Sequence, residues 1–184
     1  MEQTLIREIT NILKGRSIFL IGMMACGKSE TGPKLAQLLN YKFIDLDSSI
    51  EKVANKSITN IFKQDGEKIF RDYETKCLQE IIKFPSLVIA TGGGIVIKNE
   101  NWGILRQGIV VWIDLDKETA LKRLSQDSNK RPLLNTKDLN KHYSDIFKKR
   151  INLYNQADLR IQVSNENVDQ VAEQIIVEIK KNIS

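Results

Sequence analysis

A doubly wound α/β sheet, with helices on both faces, is the fold this sequence predicts. Three observations predict it. Five short apolar runs alternate with longer stretches of helical spacing. The first run leads into Gly22-Met23-Met24-Ala25-Cys26-Gly27-Lys28-Ser29, which fits the phosphate-loop pattern G-x-x-x-x-G-K-[ST] between a strand and a helix. The chain has 184 residues, 41% hydrophobic and 28% charged, which suits one domain spanning 1–184 with a sizeable core.

Each element has its own signal. Residues 2–14 place Leu5, Ile6, Ile9, Ile12 and Leu13 at helical spacing, and Lys14-Gly15 supplies a stop. This predicts an accessory helix within 1–15, ahead of the first strand. Strands are predicted at 17–21, 42–45, 87–91, 108–113 and 159–163. Most are apolar throughout, as parallel strands buried on both faces are. Helices are predicted at 28–39, 48–54, 57–63, 67–83, 99–106, 117–124, 136–156 and 167–181. The stretch 125–137 is the most polar and reads as a surface excursion able to act as a lid. In such folds ligands gather at the carboxyl ends of the strands.

Composition narrows the partners. The net charge is +5, but Lys and Arg are scattered among acids, and the densest run is only Lys148-Lys149-Arg150. No basic patch is interleaved with aromatics, so small polyanions are expected rather than nucleic acid. Cys26 and Cys77 form neither a disulfide framework nor a metal spacing, and read as free thiols in a reducing compartment. No apolar run approaches the ~20 residues of a membrane span, and Met1-Glu2-Gln3-Thr4 shows no signal-peptide pattern. A cytoplasmic enzyme without a membrane partner is expected.

The phosphate loop defines the ligand class. Its backbone N–H groups turn inward at a helix N-terminus, which favours anions. Lys28 then reaches the β- and γ-phosphates, and the Ser29 hydroxyl can ligate Mg²⁺. Asp45-Leu46-Asp47 ends the second strand, so both carboxylates can face the loop. One can hold Mg²⁺ through water and the other can orient or deprotonate an attacking hydroxyl; alternatively, Asp47 N-caps the helix that follows. Arg71 and Glu74, three apart on a helix, are either a surface ion pair or an arginine held to clamp an anionic substrate. Thr91-Gly92-Gly93-Gly94 removes side chains where a ligand approaches a strand end. Arg131-Pro132 in the excursion offers a lid arginine. Arg150, taken alone, reads as a solvated cation. His142 has no catalytic partner in sequence, and Trp102 and Trp112 read as core.

Taken in order, the phosphate loop, Phe43-Ile44-Asp45-Leu46-Asp47, Phe70-Arg71-x-x-Glu74, Gly92-Gly93-Gly94, Arg131-Pro132-Leu133-Leu134 and Arg150-x-x-x-Tyr154 resemble shikimate kinase. The similarity runs from about residue 16 to the C-terminus. It implies a nucleoside-monophosphate-kinase-like α/β/α fold with a five-stranded parallel sheet in order 2-3-1-4-5. It implies ATP-dependent phosphorylation of the 3-hydroxyl of shikimate, in the route to chorismate and the aromatic amino acids. Residues 25–30 (Ala25, Cys26, Gly27, Lys28, Ser29 and Glu30), with Arg131 and Asn167, would form the nucleotide site. Ser29 and Asp45 would hold one Mg²⁺ per subunit. Asp47, Arg71, Gly92, Gly93, Gly94 and Arg150 would bind shikimate, with Lys28, Asp47 and Arg131 catalytic. A monomer is expected. A kinase of another hydroxy acid such as gluconate, or a nucleotide-binding regulator without catalysis, are the alternatives. Two residues depart from the family pattern: Ala25 stands where glycine is usual and Glu30 where threonine is usual. Activity is expected to be retained, and nucleotide handling is where a difference is expected.

Overall fold

The computed structural model describes residues 3–126 and 138–183. Five parallel strands form one sheet: β1 (Ile18–Ile21), β2 (Lys42–Asp45), β3 (Leu87–Ala90), β4 (Ile109–Leu115) and β5 (Leu159–Val163). Their spatial order is β2-β3-β1-β4-β5, as the resemblance implies. β1 is central, and Phe19, Leu20 and Ile21 have no exposed surface. The edge strand β5 alternates instead, burying Leu159, Ile161 and Val163 while Arg160 and Gln162 face water. That is the period-2 signature of a strand covered on one face only.

The helices among the described residues are α1 (Gln3–Leu13), α2 (Lys28–Leu39), α3 (Leu46–Ala54), α4 (Ile58–Gln64), α5 (Gly66–Ile81), α6 (Asn99–Leu105), α7 (Lys117–Gln126), α8 (Leu139–Tyr154) and α9 (Val168–Asn182). A 3₁₀ turn over Ile95–Ile97, which has no period of its own in sequence, precedes α6. Right-handed crossovers put α2 on one face of the sheet and α5, α6 and α8 on the other. Accordingly α2 packs on α9, and α5 on α6. The N-terminal helix joins the α2/α9 layer and buries Ile9 and Leu13 completely. Each such side chain contributes roughly 1.5–3 kcal/mol. Lys14 and Gly15 both turn to positive φ and end that helix where expected.

Three boundaries differ from the expectation in ways that matter. β4 runs two residues further, to Leu115, because neighbouring β5 continues its register to Val163. The helix expected from 48 begins at Leu46. Of the helix expected over 136–156, residues 136–137 lie outside the described residues, Asp138 is the cap of α8, its side chain accepting from the Lys141 amide, and the helix ends at Tyr154. Trp112 and Trp102 are core, as predicted. Trp112 stacks on Tyr154 at 5.6 Å, and Trp102 donates to the Val96 carbonyl at 3.0 Å.

Candidate active site

The phosphate loop leaves the carboxyl end of the central strand, where ligands collect in such sheets. Gly22 opens it at φ +141°, and any Cβ there would strike the Ile113 carbonyl of β4 and come within 3.0 Å of Cys26 Sγ. Gly27, at φ +90°, is the N-cap of α2 and satisfies the left-handed geometry without cost. Ala25 is left-handed too, at φ +64°. For alanine that geometry costs about 1–2 kcal/mol. The departure noticed in sequence is therefore a strained residue inside the cradle. The Ala25 carbonyl accepts from Arg123 Nη1 of α7 at 3.2 Å.

Lys28 folds back beneath the loop. Its ammonium donates to the carbonyls of Gly22 at 3.0 Å and Met23 at 2.8 Å, and lies 3.3 Å from Cys26 Sγ. Cys26 is a buried free thiol, and it lies beside the loop's opening glycine, Gly22. Ser29 Oγ donates to Asp45 Oδ2 at 2.6 Å, so the two side chains assigned to a cation meet.

Asp45, not Asp47, is the N-cap of α3: its Oδ1 accepts from the Ser48 amide at 3.0 Å. The strand stops at Asp45, so the i, i+2 face-sharing argument does not apply to the pair. Asp47 instead projects from the first turn of α3. Both carboxylates still line the same cavity, of about 590 Å³, together with Ala25, Gly27, Lys28, Ser29, Glu30, Thr91, Gly93 and Arg123.

A second cavity, of about 110 Å³, adjoins it. Met24, Asp47 and Gly93 line both. Its other walls are Phe62, Phe70, Arg71, Glu74, Gly92, Gly94 and Arg150. Arg71 is buried, and the surface-pair reading of Arg71 and Glu74 is corrected: Glu74 has no exposed surface. Arg71 donates to Glu74 Oε2 through Nη1, and to Glu67 Oε1 through Nε and Nη2. Burial disfavours the Arg71 cation, but the two carboxylates outweigh it and raise its pKa. Burial pushes the Glu74 carboxyl up to about 7; Arg71 opposes the rise, and the nearby Asp47 charge adds to it. Arg150 is likewise buried rather than solvated, while Lys148 and Lys149 beside it are exposed. Its Nη1 donates to the Gly93 carbonyl at 3.1 Å, and the Tyr154 hydroxyl donates to the same carbonyl at 2.6 Å.

The triple glycine makes room for the protein's own side chains. A Cβ on Gly94 would collide with the Arg71 guanidinium, and one on Gly92 would lie 2.7 Å from Glu74 Oε1 and 2.9 Å from Asp47 Oδ1. A Cβ on Gly93 would press on the Gly22 carbonyl at 3.3 Å. The chain thus brings the phosphate loop, two carboxylates and two buried arginines against one glycine segment.

Arg131 lies outside the described residues. Asn167 is the N-cap of α9 in a capping box with Gln170, and it does not line the large cavity. The structure adds Arg123, Gln126, Met24, Phe62 and Thr91 to the lining. Nothing in sequence distinguishes Arg123 from the other cations, since its role depends on a contact 98 positions away. Among the described residues no helix is long and apolar enough to cross a membrane.

The shikimate kinase family model matches residues 24–180. A shikimate kinase from Prochlorococcus marinus (strain NATL2A) is 54% identical over 160 residues, covering 87% of this chain and 81% of that protein. The solved structure of shikimate kinase from Acinetobacter baumannii in complex with shikimate superposes with a TM-score of 0.89 at 34% identity, covering 95% of this chain and 98% of that one. Thymidylate kinase from Candida albicans shares the fold alone, with a TM-score of 0.59 at 16% identity. By the family match over residues 24–180 and the 54% identity to that relative, the chain belongs to the shikimate kinase family.

Proposed function

We propose that this protein transfers the γ-phosphoryl group of ATP to the 3-hydroxyl of shikimate, giving shikimate 3-phosphate and ADP. One observation carries the proposal. Asp47 stands on the wall shared by the phosphate-loop cavity and the arginine-lined pocket. A hydroxyl held against Asp47 faces the place where a terminal phosphate ends.

In this reading the amides of residues 25–30 and the Lys28 ammonium hold the phosphate chain. Asp47 orients the attacking hydroxyl and accepts its proton as the O–P bond forms. Arg71 and Arg150 bind the substrate carboxylate, which a planar guanidinium matches with two parallel hydrogen bonds. Gly93 meets the ring through its backbone. Arg131 and Asn167 are assigned to the nucleotide on the resemblance alone. The protein contributes position and charge rather than a nucleophile. A monomer is the working unit of the proposal. The two free thiols suit a reducing cytoplasm.

The residues present fit Mg²⁺. Ser29 Oγ and Asp45 Oδ2 are hard oxygen donors 2.6 Å apart, and this ion takes few protein ligands and keeps several waters. Ser29 would ligate it directly and Asp45 through water. When bound, the ion neutralises charge on the phosphate oxygens.

A coupled ADP-release assay with shikimate, gluconate or no acceptor tests the proposal. Turnover with shikimate alone is expected. ADP release indifferent to shikimate refutes it, and turnover on gluconate shifts the assignment to another hydroxy acid.

A further inference from the structure

We propose that Arg123 is a positioning residue for the phosphate loop, acting through the Ala25 carbonyl, and that its beneficiary is the phosphate chain of a nucleoside di- or triphosphate. The inference rests on the larger cavity being the nucleotide site. Arg123 Nη1 donates to the Ala25 carbonyl at 3.2 Å and stands 3.6 Å from where a Cβ on Gly27 would be. The guanidinium therefore lies along the bend Ala25-Cys26-Gly27. Two residues of that bend are left-handed, Ala25 at φ +64° and Gly27 at φ +90°. Glycine adopts this form freely; alanine does not, so an untethered loop relaxes at residue 25.

Relaxation there rotates the peptide joining Ala25 to Cys26. That peptide is planar and trans, so its C=O and N–H point in opposite directions. Fixing the Ala25 oxygen on Arg123 also fixes the direction of the Cys26 N–H, one of the amides available to a phosphate. Lys28 grips the loop's opening in the same manner, through the Gly22 and Met23 carbonyls. The cradle is held in shape by two cations on its carbonyls before any phosphate arrives, which lowers the ordering cost of binding.

The test is a double-mutant cycle of Arg123→Gln and Ala25→Gly, read by calorimetric binding of ADP and, separately, of inorganic pyrophosphate. Pyrophosphate has neither base nor ribose, so it reports on the loop. With Ala25 present, Arg123→Gln is expected to weaken both ligands by about tenfold. In the Ala25→Gly background the same substitution is expected to cost roughly threefold or less, because glycine holds the left-handed form unaided. Arg123→Lys keeps a cation within reach of the carbonyl and is expected to recover most of the loss for both ligands. Equal losses in the two backgrounds would mean that Arg123 acts on the ligand directly, and would overturn the proposal. A loss for ADP without a loss for pyrophosphate would overturn it as well. If the parent protein binds neither ligand, the nucleotide reading of the cavity fails first and takes this inference with it.

Discussion

Substituting alanine for Gly94 adds one methyl group to the acceptor pocket. Gly94 sits at φ −99° and ψ 2°, a bridge-region geometry that alanine tolerates, so the backbone is not the obstacle. The obstacle is Arg71. The new Cβ would stand 2.5 Å from Arg71 Cζ and nearer still to both terminal nitrogens. Carbon atoms in contact rest ~3.5–4.0 Å apart, so the guanidinium must withdraw by about 1 Å or more. Arg71 is buried and tied to Glu74 and Glu67, so it cannot swing aside without breaking charged hydrogen bonds. A hydrogen bond to a charged group is worth about 1.5–3 kcal/mol. Displacing the fork from the substrate carboxylate by that amount corresponds to roughly 10–100-fold in affinity. Initial rates at saturating ATP, with shikimate varied, are expected to show a KM increase of that order. ADP binding is expected to stay within about threefold of the parent, because Gly94 does not line the phosphate-loop cavity. A shikimate KM within about twofold of the parent, in a folded variant, refutes the argument that Arg71 binds the substrate from the position seen here.

Asp47→Asn keeps the shape of the shared wall but removes the proton acceptor, and turnover is expected to fall by about 10²–10⁴ while ADP binding persists; near-parent turnover leaves Asp47 without the assigned role. Glu74 titrates near 7 in the fold against an ordinary 4.5, so between those values the native chain binds more protons than the unfolded one. Stability therefore declines as pH rises through that window and levels off above it, a component of about 3 kcal/mol. Denaturant unfolding of Glu74→Gln from about pH 5 to 8 is expected to lack this decline, and an unchanged slope refutes it. Gly32→Ala would drive a Cβ into the Phe43 ring, 2.8 Å from Cδ2 and closer to the ring edge. It is expected to lower stability by about 1–3 kcal/mol through overpacking, seen as a lower melting temperature. An unchanged melting temperature would mean that the ring yields freely.

Much of this protein is local in origin. The five strands fall within two residues of their expected ends, because each is a short apolar run with its own boundary signals. The accessory helix, its Lys14-Gly15 stop and the phosphate loop are each contained in a window of about a dozen residues or fewer. Even the strained Ala25 is visible in sequence, as a departure from the glycine usual there. The Asp45-Leu46-Asp47 pair shows where local reasoning stops. Both side chains reach the expected cavity, yet the cap is Asp45 and the strand ends before Asp47. Helix and strand signals overlap at that point, and the contact between Asp45 and Ser29, 16 positions away, coincides with the helix start.

The layered fold, the phosphate-binding loop and the residue types of the chemistry are all legible along the chain, because periodicity and motif spacing are properties of neighbouring residues. What those residues touch depends on the folded arrangement. It turned Arg150 from a surface cation into a donor to the Gly93 carbonyl, and Glu74 into a buried carboxyl that titrates near 7. It gave the triple glycine its reason, as room for Arg71, Glu74 and Asp47. It also set Arg123 against Ala25 across 98 positions of chain. Burial, hydrogen bonding and charge act over a few ångströms of space, and those distances exist only once the sheet has brought the ends of its strands together.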